Sequence, residues 1–176
     1  MIANPEFSRP VRIDTIGADS RVMEIAAEPA EREALARRFG LIAIHSLSAK
    51  AALGRTGEAL IAEGRLKAEV VQSCVASAAP LEASLDEPFR IEFRPEPTAD
   101  APDEEIELSE SEMDVVFYQG ASIDLGEAVA ETLSLSLDPW PRAPGAEEVL
   151  KAAGVKGEDE AGPFAALAAL KDKLTK

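Results

Sequence analysis

Between residues 41 and 94 the chain alternates apolar and polar side chains with a period of two. The sharpest stretch is "PFRIEFRPEP", where Phe89, Ile91 and Phe93 oppose Arg90, Glu92 and Arg94. "LIAEGRLKAEVV" sets Leu66, Ala68 and Val70 against Arg65, Lys67 and Glu69, and "LEASLDE" repeats the rhythm with Leu81, Ala83 and Leu85. "LIAIHSLSAKAAL" alternates more loosely. A period of two with charge on one side predicts half-buried antiparallel strands. Turn signals at Gly54, Gly57 and Gly64 divide the region into three or four of them. "FSRPVRID" (7–14) reads as an edge strand because Pro10 cannot donate to a ladder. "RVMEIAAE" (21–28) reads as a second strand and "MDVVFYQG" (113–120) as a short late one.

The period changes to that of a helix in four places. Over 28–40, Pro29 suits a first turn, Glu31 and Glu33 sit at the positive end, Arg37 and Arg38 at the negative end, and Gly40 stops the helix. Leu35 and Phe39 give it a narrow apolar face. Asp124 can cap a helix carrying Leu125, Val129, Leu133 and Leu137, with Ala128 and Leu135 alongside; prolines 139, 141 and 144 end it by Asp138. "AEEVLKAAG" (146–154) predicts a short helix. So does "PFAALAALKDKL" (163–174), which is too short to hold in water alone and must dock on its own sheet, a second copy or a partner. The fold expected is one α+β domain over 5–142, an antiparallel sheet, open or barrel-like, with a few packing helices. A loosely attached tail, 143–176, ends in the short C-terminal helix.

Charge changes this picture more than composition does. Hydrophobic content is 46% but aromatics only 5%, so the core is built from Ala, Leu, Val and Ile. The net charge is −15 and is unevenly placed. Residues 1–75 carry ten bases and ten acids, whereas 76–176 carry 23 acids and 8 bases. The segment 96–114 has nine acids and no base, including Asp103, Glu104, Glu105, Glu107, Glu110, Glu112 and Asp114. Two readings stand: a solvated loop, or a docking surface for a basic partner such as a ribosomal protein. Such acidity disfavours direct nucleic-acid binding as the main activity. A local patch on the neutral half, from Arg9, Arg12, Arg37, Arg38, Arg65 and Lys67, is the exception to test. No stretch approaches a membrane span and the N-terminus lacks a signal-peptide pattern, so a cytoplasmic protein is expected.

Motifs for chemistry are scarce. One Cys (Cys74) and one His (His45) cannot supply four zinc ligands from one chain. His45 lies inside an alternating strand and reads as structural or surface-exposed. No G-x-S-x-G elbow, P-loop or G-x-G-x-x-G occurs, and the Phe89/Ile91/Phe93 face reads as core rather than a base-stacking platform. The expectation is a protein that is not an enzyme and holds no cofactor.

The order of the segments resembles the YceD family, also called domain of unknown function 177, of large ribosomal RNA subunit accumulation proteins. "AEVVQSCVAS" ends a strand in Cys74, "PFRIEF" follows, and then the acidic stretch. "IDLGEAVAETLSLSLDPWPR" looks like the family's I-D-L helix at Ile123, Asp124 and Leu125 with its Pro-rich exit. "GPFAALAALK" is similar to its closing motif at Pro163, Phe164, Leu167, Leu170 and Lys171. The N-terminal third looks like the alphaproteobacterial branch. The resemblance implies a part in accumulation of 23S ribosomal RNA and in large-subunit biogenesis, with no catalytic activity established. A ribosomal or assembly protein is the partner implied, with the ribosomal RNA reached directly or through it. Many members carry C-x-x-C where this chain has Cys74 and Ser77, and some add cysteines after the Pro-rich segment. This chain departs at both places, so the resemblance carries no metal to it.

Overall fold

The computed structural model describes residues 5–96 and 114–155. In chain order the elements are β1 (Pro10–Arg12), a 3-10 turn, β2 (Arg21–Ala26), α1 (Pro29–Phe39), β3 (Ala43–Thr56), β4 (Ala59–Ser73), β5 (Pro80–Pro95), β6 (Asp114–Tyr118), β7 (Ser122–Asp124), α2 (Leu125–Ser136) and α3 (Ala146–Ala152). The described residues fall into two compact units. One comprises 5–72, 82–96 and 114–139; the other comprises 73–81 and 140–155. The expected C-terminal helix at 163–174 and most of the acidic segment lie outside the described residues.

The first unit is a five-stranded sheet of order β2-β3-β4-β5-β6, with β1 and β7 forming a separate antiparallel pair. The α+β class therefore holds. The sheet is not closed into a barrel: β2 and β6 are its two edges. It is also not wholly antiparallel, because β6 runs parallel to β5, Ile91 opposite Asp114 and Pro95 opposite Tyr118. "LEASLDE" and "PFRIEF" are one strand, not two. Pro88 falls where β5 lacks β6 as a second described neighbour, so its missing N–H interrupts no inner ladder.

The loose alternation of "LIAIHSLSAKAAL" has a physical cause. The β3–β4 register shifts between Ile44 and Ser46, so His45 is the extra residue of a bulge. His45 and Ser46 both face solvent, and Ile44 and Leu47 both stay buried. The core is one cluster joining Leu47, Leu53, Leu60, Leu66, Val70, Phe89, Ile91 and Phe93 of the sheet with Leu35 of α1 and Leu125, Val129 and Leu133 of α2. Leu135, expected beside the apolar face of α2, is 78% exposed.

Both long helices begin and end as their sequences dictate. Glu28 caps α1 in a reciprocal capping box with Glu31, and Gly40 closes it at φ +67°. Asp124 caps α2, and Leu137 already has extended backbone before Pro139.

Candidate functional site

Three places in the fold gather the residues singled out by sequence. The first is Asp124. Its side chain caps α2 by accepting from the Glu127 N–H at 3.1 Å. It also accepts from the Arg9 N–H at 2.8 Å and the Ser8 hydroxyl at 2.5 Å. The chain at 7–10 thus crosses the start of α2, with Phe7 fully buried and the Leu125 N–H bonded to the Arg9 carbonyl at 3.2 Å. Ile123 pairs with Val11 and is buried, as is Leu125. The I-D-L residues are therefore where β1, β7 and α2 meet. Sequence reasoning missed the next residue, Gly126. A Cβ there would lie 2.2 Å from the Phe7 carbonyl oxygen.

Arg9 and Arg38 belong to the same seam. Arg9 grips Glu31 with two hydrogen bonds of 2.7 and 2.8 Å and lies over the Phe7 ring at 4.6 Å. Arg38 reaches Glu127 at 2.7 Å and Glu6 at 3.0 Å. The Arg9 hydrogen bonds hold the Glu31 carboxyl below its usual range, so this contact stabilises above that range and is lost as the pH falls through the lowered value.

The second place is the turn after β4, in the second unit. Cys74 is buried and free. The Cys74 carbonyl accepts from the Ala78 N–H at 2.9 Å, and its N–H donates to the Ala79 carbonyl at 2.8 Å. Ala78 takes φ +57°, unusual for a residue with a Cβ. The Ala143 N–H points at the sulfur from 3.3 Å. That N–H, the Ser77 side chain, and the Ala76 and Ser77 N–H groups together bring the thiol down to about 7, against the opposing effect of burial. Ser77→Ala is expected to move the thiolate midpoint, followed by absorbance near 240 nm, upward. An unmoved midpoint would leave the backbone groups as the sole cause. The stability contributed by the thiolate is present above the unfolded thiol's range and fades as the pH falls through about 7.

The third place is the outer face of the sheet. Arg65 bonds Asp86 at 2.8 Å, and Lys67 lies 3.5 Å from the same carboxylate. Lys50 pairs with Glu24 at 2.7 Å and Arg90 with Glu63 at 3.0 Å. The six candidate cations are thus not one group. Arg9 and Arg38 lie on the α1–α2 seam, Arg12 pairs with Asp14 beside β1, Arg37 is exposed on α1, and only Arg65 and Lys67 share a surface. Their outer-face neighbours Lys50 and Arg90 were not legible as a set with them, since three strands bring them together, whereas Arg55 alternates onto the inner face and bonds the carbonyls of Ile13 and Ile16.

Of the acidic candidates Asp114 is described, exposed at the start of β6; Asp103, Glu104, Glu105, Glu107, Glu110 and Glu112 lie outside the described residues, as do Pro163, Phe164, Leu167, Leu170 and Lys171. His45 is on the surface, 3.6 Å from Glu82. Among the described residues no three His, Cys, Asp or Glu side chains cluster as metal ligands, and no helix is long and apolar enough to cross a membrane.

A family model described as "Large ribosomal RNA subunit accumulation protein YceD" matches residues 62–171, more than half of the chain, and the chain belongs to that family. No curated protein and no solved structure matches it.

Proposed function

We infer, from membership of the YceD family, that this chain takes part in large ribosomal subunit biogenesis as a non-enzymatic factor supporting accumulation of 23S ribosomal RNA. The family match over 62–171 carries the reading. It covers β5, β6, β7 and α2 together with the acidic segment between β5 and β6.

The mechanism proposed is that acids from Asp103 to Asp114 hold a basic ribosomal or assembly protein in the cytoplasm. Nine acids without a base in 96–114 give such a partner strong, salt-sensitive attraction and fast encounter. Arg9 and Arg38, committed to carboxylates within the fold, are poor candidates for external contacts, which favours a protein partner for the first encounter. The test is affinity purification of the full chain from native lysate at low salt, with mass spectrometry of what co-elutes. A ribosomal or assembly protein is expected, and it should be lost when Asp103, Glu104, Glu105 and Glu107 are changed to Asn and Gln. Recovery of no such protein, or recovery indifferent to those changes, would sink the mechanism.

A further inference from the structure

We propose that the free edge of β6 is a docking site for an extended, basic segment of a partner protein, which joins the five-stranded sheet as a further strand. Among the described residues β6 pairs only with β5 and so ends the sheet. The Tyr118 carbonyl accepts from the Glu96 N–H at 3.1 Å, on the β5 side. Peptide groups alternate sides along a strand, so those of Asp114 and Val116 also face β5, while those of Val115 and Phe117 face away from it. Their N–H and C=O groups are a template for another strand. Natural edges are commonly blunted by charged side chains, proline or a bulge. The opposite edge, β2, carries Arg21 and Glu24. Past Asp114, β6 reads Val-Val-Phe-Tyr, and its register with β5 is unbroken. Val116 and Tyr118 pack against the core, whereas Phe117, on the other face with Val115, is 49% exposed.

Charge around this edge selects the occupant. Asp114 stands at its start, and Glu96, whose carboxylate accepts from Gln119, stands beside its end. Glu58 shares a shallow hollow with Phe117. No described cation pairs with Glu58, Glu96 or Asp114. Arg94, the cation lining that hollow, is held by the buried Glu92 at 2.5 Å. The described groups at the edge therefore leave an excess of negative charge. The sequence leading into β6 adds to it, with nine acids and no base over 96–114. A second copy of the chain would bring two such segments together and is repelled. A segment with lysine or arginine at its ends is attracted to Asp114 and Glu96, and apolar side chains between them cover Val115 and Phe117. This deepens the reading above: it rests on the partner being a basic protein and adds how that protein is held.

The test is fluorescence anisotropy of a labelled peptide, lysine pairs flanking Val-Thr-Val, titrated with the full chain at about 50 mM salt. Saturable binding is expected below about 1 mM. Val115→Pro removes an N–H that faces away from β5, so the β5–β6 ladder and the melting curve should survive. Its affinity for the peptide should fall about tenfold or more. Phe117→Lys should weaken binding similarly, by losing an apolar wall and repelling the lysines, and it decides the matter if the proline variant unfolds. Val22→Lys, on the opposite edge, should change affinity by less than about twofold. No binding by the wild type at about 1 mM, equal binding of a peptide with glutamate in place of lysine, or full affinity of the folded β6 variants would overturn the proposal. A dimer in sedimentation that Val115→Pro dissolves would give the edge to a second copy and overturn it too. The partner reading is separated by the lysate capture described above. A wild type that binds the peptide but captures no ribosomal or assembly protein removes that reading and leaves the edge standing. A captured protein that stays on both β6 variants removes the edge and leaves the reading.

Discussion

Gly126→Ala is expected to destabilise the fold by about 3 kcal/mol, although it replaces the poorer helix former with the best one. Gly126 is the second residue of α2 and is buried. Helix propensity alone predicts a gain of about 1 kcal/mol for this change, so the sign of the measured difference separates the two accounts. The added Cβ would stand 2.2 Å from the Phe7 carbonyl oxygen and 3.0 Å from the Arg9 nitrogen. Both are backbone atoms, and neither can swing aside as a side-chain tip can. The segment must lift off α2, taking the buried Phe7 ring with it. Urea or thermal unfolding followed by circular dichroism measures this. A neutral or stabilising result would mean that 7–10 does not cross α2 as described.

Asp124→Ala should cost about 3 kcal/mol, because one carboxylate serves three donors. Losing the cap of α2 accounts for about 1 kcal/mol. The rest comes from the Arg9 N–H and the Ser8 hydroxyl, which lose a charged acceptor in a partly buried seam. Asp124→Asn should recover part of the loss, since Asn caps helices well but carries no charge. The Asn variant falling between wild type and Ala in denaturant midpoint is the expected order. If Ala and wild type unfold together, the family's aspartate is kept for contacts outside this chain rather than for its own fold.

The I-D-L motif shows how much of this could be read in advance. Asp124 as a helix cap follows from its place before an apolar run with i, i+4 spacing, and α2 starts there. That the same carboxylate fastens residues 8 and 9, over a hundred positions earlier, follows from nothing local. Gly126 was invisible for the same reason. Its φ is unremarkable, and only the passing backbone of Phe7 demands a residue without Cβ. Cys74 divides similarly. Its lack of a cysteine partner at Ser77 is plain in the sequence, whereas the lowered thiol depends on the Ala143 N–H, 69 residues on.

The sequence by itself determined the helices α1, α2 and α3 and the strand-rich region between residues 41 and 94, because period, capping and proline act within a few residues, but not every strand boundary: Gly54 and Gly64 lie inside β3 and β4, and β5 runs unbroken through Pro88. It determined the α+β class, the α2 boundaries and the split between a neutral first part and an acidic second part. Tertiary structure decided what those elements meet. It left the sheet open, set β6 parallel to β5, spent Arg9 and Arg38 on carboxylates within the fold, and paired Lys50, Arg65, Lys67 and Arg90 with Glu24, Asp86 and Glu63 on the outer face. Pairing order and register are set by which apolar faces bury together across the whole chain, and residues close in space need not be close in sequence.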